Sequence, residues 1–151
     1  MANFLKMYLT KEDAEYNGGE GHNALYLPAP SINSAKQTVS TIVSSGRDAD
    51  GVVYAQRILD RNLVKLEIQW KYLTATQWKD ILTKINAGRG GFYVWIRYFD
   101  MESASWKCRE FYPGDRTALP FRIDPNTKAI LSYLDCTVNF IDTGAEEATV
   151  I

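Results

Sequence analysis

The N-terminal part of the chain holds the residues best suited to acid–base chemistry. His22 is the only histidine, and the glycine-rich stretch 10–23 around it carries four carboxylates: Glu12, Asp13, Glu15 and Glu20. A catalytic histidine needs an orienting partner and a nucleophile, and a catalytic carboxylate pair needs an apolar wall that raises one pKa. The segment shows neither feature. The sequence therefore predicts a polar loop over 10–23 and no catalytic residue.

Two further motifs resemble ligand loops but lack the required geometry. In Asp48-Ala49-Asp50-Gly51, a calcium loop would place its first ligand at Gly46 and its bidentate glutamate at Arg57, so a hairpin turn is predicted and no metal site. Gly88-Arg89-Gly90-Gly91 follows a predicted helix, whereas phosphate loops precede one. Gly88 is therefore predicted to be a helix C-cap, with no cofactor bound.

The two cysteines, Cys108 and Cys136, are too few and too far apart for a disulfide framework or a zinc site. Both lie in predicted strands, and Cys136 lies on the apolar phase of its strand. Small buried thiols are predicted, and a bridge is the alternative if the two strands are neighbours.

Composition limits the classes of function. A chain of 151 residues with 46% hydrophobic and 23% charged residues predicts a single globular domain over 1–151. Since 17 basic residues face 18 acidic ones, specific nucleic-acid binding is not expected. No apolar run reaches the ~18 residues of a membrane span, so no membrane insertion is expected. No signal peptide is evident either, which favours synthesis in a cytoplasm.

The segment 62–99 predicts strand, helix, strand. Over 63–73 apolar residues alternate with polar ones, which is typical of a half-buried strand. Thr74 and Gln77 match a capping box at the start of a helix over 75–87. After the glycines, Phe92–Phe99 has large side chains on both phases.

The remaining elements are short strands and turns. Strands are predicted over 4–9, 24–27, 38–44, 52–59, 105–112, 118–123 and 131–141, with a turn at Pro113-Gly114-Asp115. The runs within 38–73 predict a three-stranded meander, and 144–151 is predicted to be a flexible C-terminal tail. The predicted fold is mainly β: a β-sandwich or flattened barrel of about seven to nine mostly antiparallel strands with one flanking helix.

The second face of the strand Phe92–Phe99 is the predicted functional surface. It carries Tyr93, Trp95, Arg97 and Phe99. Tyr, Trp and Arg are the usual anchors of protein interfaces, which predicts a subunit interface here. The helix covering this face is the equally weighted alternative, and a carbohydrate platform is the third.

The order of these elements is similar to a known fold. The quoted features are the turn at 47–51, a strand ending near Trp70, a helix over 76–85, a turn at 111–116 and a closing strand over 136–141. Over residues 36–142 the chain resembles small tail proteins of long-tailed bacteriophages of Gram-positive hosts, with the tail-tube and distal-tail fold.

The resemblance implies a non-enzymatic virion protein, assembled in the host cytoplasm with other tail proteins. Such subunits form hexameric rings around a channel, with 10–23 and 144–151 as arms between rings. The chain departs from distal-tail proteins in lacking their second, sugar-binding-like domain, and its near-neutral charge does not indicate the acidic lumen of a tube. The alternative is a monomeric β-sandwich module that binds a glycan or small ligand, and an enzyme is third.

Overall fold

The computed structural model of the chain describes residues 5–15, 24–30, 35–59 and 61–148. These residues form the following elements: β1 Leu5–Tyr8, α1 Lys11–Glu15, β2 Leu25–Leu27, β3 Ala35–Ser40, β4 Val43–Arg47, β5 Val53–Arg57, β6 Leu63–Thr74, α2 Ala75–Asn86, β7 Val94–Asp100, β8 Ser105–Ile123 and β9 Ile130–Asp142. The fold is mainly β and sandwich-like, which confirms the predicted class, and it is not a closed barrel.

Seven strands form one antiparallel sheet in the order β2-β1-β7-β8-β9-β6-β3. The sheet curves until its edges approach other parts of the chain. Near β2, the Pro28 carbonyl accepts a hydrogen bond of 2.9 Å from Trp70 Nε1 of β6. At the other edge, Gln37 of β3 donates to the Phe99 carbonyl and accepts from the Met101 amide. This curvature lets a single sheet enclose a core.

The core is built from the alternating face of β6, as predicted. Val64, Leu66, Ile68 and Trp70 are buried and pack with Trp78, Ile81 and Ile85 of α2. The alternation ends at Tyr72, which is exposed, whereas Leu73 is buried. The capping box is confirmed, since Thr74 Oγ1 accepts from the Gln77 amide and Gln77 Oε1 accepts from the Thr74 amide.

The predicted meander over 38–73 is wrong. β3 pairs directly with β6, and β4 with β5 form a separate two-stranded sheet. The strand predicted over 38–44 is divided at residues 41–42, where the Thr41 hydroxyl donates to Asn62 Oδ1. The predicted turn is confirmed, because the Asp48 carboxylate accepts from the Asp50 and Val52 amides and Gly51 has a φ of 80°.

The turn predicted at Pro113-Gly114-Asp115 is also wrong. β8 continues through these residues, and its register with β9 shifts between Pro113 and Arg116. A β-bulge of this kind accommodates the extra residues without ending the strand, and it tolerates proline because one ladder position is already disrupted.

The predicted polar loop 10–23 and the predicted flexible tail 144–151 both carry structure in their described parts. The predicted loop 10–23 is helical over α1, while residues 16–23, including Glu20 and His22, lie outside the described residues. In the predicted tail, the Ala148 amide donates to the Cys108 carbonyl at 2.9 Å, and Ala148 is buried; residues 149–151 are outside the described part. Within the described ranges, neither helix is long and apolar enough to cross a bilayer.

Candidate functional site

Trp95, the centre of the predicted interface, lies inside the chain. Its side chain is 8% exposed and belongs to a small second core with Tyr8, Ala14, Cys108 and Ala148. α1 and residue 148 supply this cover, whereas α2 packs on the other side of the sheet. The alternative in which the predicted helix, α2, covers this face is therefore wrong. The short helix α1 and the C-terminal segment cover it.

The other three predicted residues have different surroundings. Tyr93 precedes β7, and its ring lies 4.1 Å from the Arg89 guanidinium. Arg97 lies 5.1 Å from the centre of the Trp106 ring. Phe99 is exposed and makes an edge-to-face contact with Trp106, with ring centres 5.4 Å apart. Phe99 is therefore the exposed member of the predicted surface, and it forms a pair with Trp106, which the prediction did not include.

Sequence reasoning missed Trp106 because the pair depends on strand register. Phe99 and Trp106 are opposite each other in the β7–β8 ladder, which places both rings on one face. The short connection over residues 101–104 carries the necessary signal, since a tight connection places residues equidistant from it opposite each other.

The β4–β5 hairpin is the most exposed apolar element of the described chain. Every residue of β5 is exposed. The large exposed apolar side chains of the two strands and the residues that flank β5 are Val43, Val52, Val53, Tyr54 and Ile58. None of its residues belongs to the two described core clusters. An isolated two-stranded hairpin is marginally stable in water, so this element gains most from a partner surface.

The hairpin is joined to the body through polar contacts at its base. Asn62 Oδ1 accepts from Arg57 of β5 and from Thr41, and Asn62 Nδ2 donates to Glu102 at 2.8 Å. These contacts orient the hairpin and leave its apolar side chains in solvent.

A second exposed apolar region is formed by residues 112–123 of β8 and the residues 130–141 of β9 that pair with them. We call this region the arm. Beyond Phe111, the described ladder of β8 includes only β9, so residues 112–123 present an open strand edge on their other side. The exposed apolar side chains at the end of the arm are Leu119, Phe121, Ile123 and Leu131. Phe121 also contacts the exposed Tyr72 ring edge to face, at 6.3 Å between ring centres. Open edges with apolar side chains are sites of strand pairing between chains.

Charged groups converge at one end of the main core. The Asp142 carboxylate is buried and accepts from both terminal nitrogens of Arg61, at 2.5 and 3.0 Å. It also accepts from the amides of Val64 and Gly144. The hydrogen bond to Asp142 raises the pKa of Arg61. This network joins β6, β9 and the C-terminal segment, and it supplies no nucleophile beside a base.

The cysteines are free and buried, which confirms the predicted thiols. Burial raises the pKa of Cys108 to about 12. Ionisation of this thiol is therefore easier in the unfolded chain. The contribution of the buried neutral thiol to the free energy of unfolding is complete below the ordinary thiol pKa and is lost as pH rises towards 12.

We expect the free energy of unfolding to fall above pH 9 by up to about 1.4 kcal/mol per pH unit from this thiol. Cys108→Ala should have a shallower slope between pH 9 and 10, measured by urea unfolding at each pH. Identical slopes for the two proteins would contradict the assignment to Cys108.

The described ranges hold no group of three or more His, Cys, Asp or Glu residues placed to bind a metal. No protein-family model matches the chain, and no curated protein matches it. The functional inference accordingly depends on the surface geometry.

Proposed function

We propose that the protein is a structural subunit that self-assembles into a ring, as the tail proteins of long-tailed phages do. The observation that carries the proposal is the β4–β5 hairpin, an element with exposed apolar side chains and no share in the described cores. A binding module would not need such an element, whereas a subunit that inserts it into a neighbour does.

The arm supports the same function. Its open edge at 112–123 offers backbone donors and acceptors, and its apolar end offers area to bury. A hairpin on one copy and an open edge at a different place on the next copy form a head-to-tail contact. Contacts of this kind close into rings when the rotation between copies allows it.

The experiment is native mass spectrometry and sedimentation from low micromolar to near-millimolar concentration. We expect the wild type to form a closed oligomer. Val53→Ser/Tyr54→Ser and Leu119→Ser/Phe121→Ser should each shift it to monomer, because each removes apolar area from one side of the contact. Lys79→Ser, at an exposed position on α2, is the matched control and should leave the oligomer unchanged.

A wild type that stays monomeric over the whole concentration range would contradict the proposal. So would hairpin and arm variants that remain folded and fully oligomeric.

The second candidate is a glycan-binding module, which the exposed Phe99–Trp106 pair favours, since aromatic faces stack on sugar rings. It predicts that sugars quench the fluorescence of the wild type but not of Trp106→Leu. The ring proposal predicts that the wild type and Trp106→Leu do not differ, either in their fluorescence response to sugars or in their oligomeric state.

A further inference from the structure

We propose that a buried water molecule binds between Tyr98, Asp100 and Arg109 and is a structural part of the core. The site is independent of the assembly surfaces. All three side chains are buried, with exposed fractions of 0%, 2% and 7%.

Strand geometry places Tyr98 between the other two groups on one face of the sheet. Tyr98 and Asp100 are two residues apart in β7, so they lie on the same face. Arg109 is opposite Ile96, which is on that face too, so Arg109 is the diagonal neighbour of Tyr98. Diagonal neighbours are within reach of long and aromatic side chains.

Each group has one polar atom left over. Asp100 Oδ2 accepts from the amide and hydroxyl of Ser103, and Arg109 Nε donates to Glu147 Oε2 at 3.1 Å. Within the described chain, Tyr98 Oη, Asp100 Oδ1 and Arg109 Nη1 are buried without a hydrogen-bond partner. Buried polar atoms almost always have partners, and an orphaned one costs about 1–3 kcal/mol.

The character of these atoms selects the ligand. The site offers a donor from Arg109, an acceptor from Asp100 and a hydroxyl that is both. Charge at this end of the core balances, since Asp100, Asp142 and Glu147 accompany Arg61, Lys107 and Arg109. A neutral molecule that both donates and accepts, and that makes about three hydrogen bonds, is water.

The electrostatic surroundings of the hydroxyl agree with this placement. Burial raises the pKa of Tyr98, and Asp100 and Asp142 raise it further while Arg109 and Arg61 oppose them. These two carboxylates and two guanidinium groups are therefore the charges that act on the phenol oxygen.

The test is Tyr98→Phe, which keeps the ring against Phe111 and removes the hydroxyl. We expect the unfolding equilibrium constant to rise about tenfold, because the bridging hydrogen bonds are lost. Tyr72→Phe, at an exposed ring, should change it less than about twofold. A crystal structure of the wild type should show a water within hydrogen-bonding distance of Tyr98 Oη and of Asp100 or Arg109.

Stability of Tyr98→Phe equal to or above that of the wild type would overturn the proposal, since removal of an orphaned hydroxyl relieves its desolvation cost. A crystal structure in which Tyr98 Oη contacts Asp100 or Arg109 directly, with no water between them, would overturn it as well.

Discussion

Asp142→Ala is expected to lower the free energy of unfolding by about 3–5 kcal/mol, the usual cost of removing one partner from a buried ion pair. Asp142 is 3% exposed, and its carboxylate accepts two hydrogen bonds from Arg61. Its loss also leaves the Val64 amide without its side-chain acceptor at the start of β6. Urea unfolding followed by tryptophan fluorescence measures the change.

Two variants test the physical reason. Lys36→Ala breaks the exposed pair with Glu67 and should cost at most about 1 kcal/mol, because solvent screens that pair. Arg61→Leu/Asp142→Leu should be more stable than Asp142→Ala, because no uncompensated charge stays at the core. A loss for Asp142→Ala no larger than that for Lys36→Ala would refute the role of the buried pair.

Gly88→Ala is expected to lower the free energy of unfolding by about 3 kcal/mol, the upper range for overpacking. A Cβ at this position would lie 1.8 Å from the Tyr93 carbonyl oxygen, and the obstacle is backbone that has to move. The loop that leads into β7 would shift with it, so we also expect altered near-ultraviolet circular dichroism from Tyr93 and Trp95.

Gly114→Ala is the matched control for this substitution. Its Cβ would meet Asn139 at 3.7 Å, an ordinary contact, so the change should be within about 0.5 kcal/mol. If Gly88→Ala unfolds at the same urea concentration as Gly114→Ala, the close approach to Tyr93 does not constrain the loop.

Gly88 also shows where the sequence prediction stopped. A glycine after a helix predicts a left-handed C-cap, and α2 does end beside it at Asn86 with Ala87 as the cap. Gly90 and Gly91 have a positive φ, whereas Gly88 does not. Glycine is required at position 88 because a Cβ there would collide with the Tyr93 carbonyl oxygen. The sequence predicted the position of the helix end, and the folded chain supplied the reason for the glycine.

Local patterns were sufficient wherever neighbours along the chain decide the conformation. The alternation in β6, the capping box of α2 and the turn at Asp48–Gly51 all depend on residues at most a few positions apart. Burial of Trp95 under Ala148 depends on a residue more than fifty positions away, so the predicted interface lost its central member.

What the sequence determined by itself is the class of the fold, the helix α2 and the apolar face of β6, because side-chain period and capping are local properties. Tertiary structure alone decided which strands pair. β3 occupies the edge of β6, which excludes β4 and β5 from the main sheet, and the ladder with β9 carries β8 through a proline and a glycine that predict a turn. Strand pairing joins residues that are distant in sequence, so it decided which side chains remain in solvent, and those exposed side chains carry the proposed assembly.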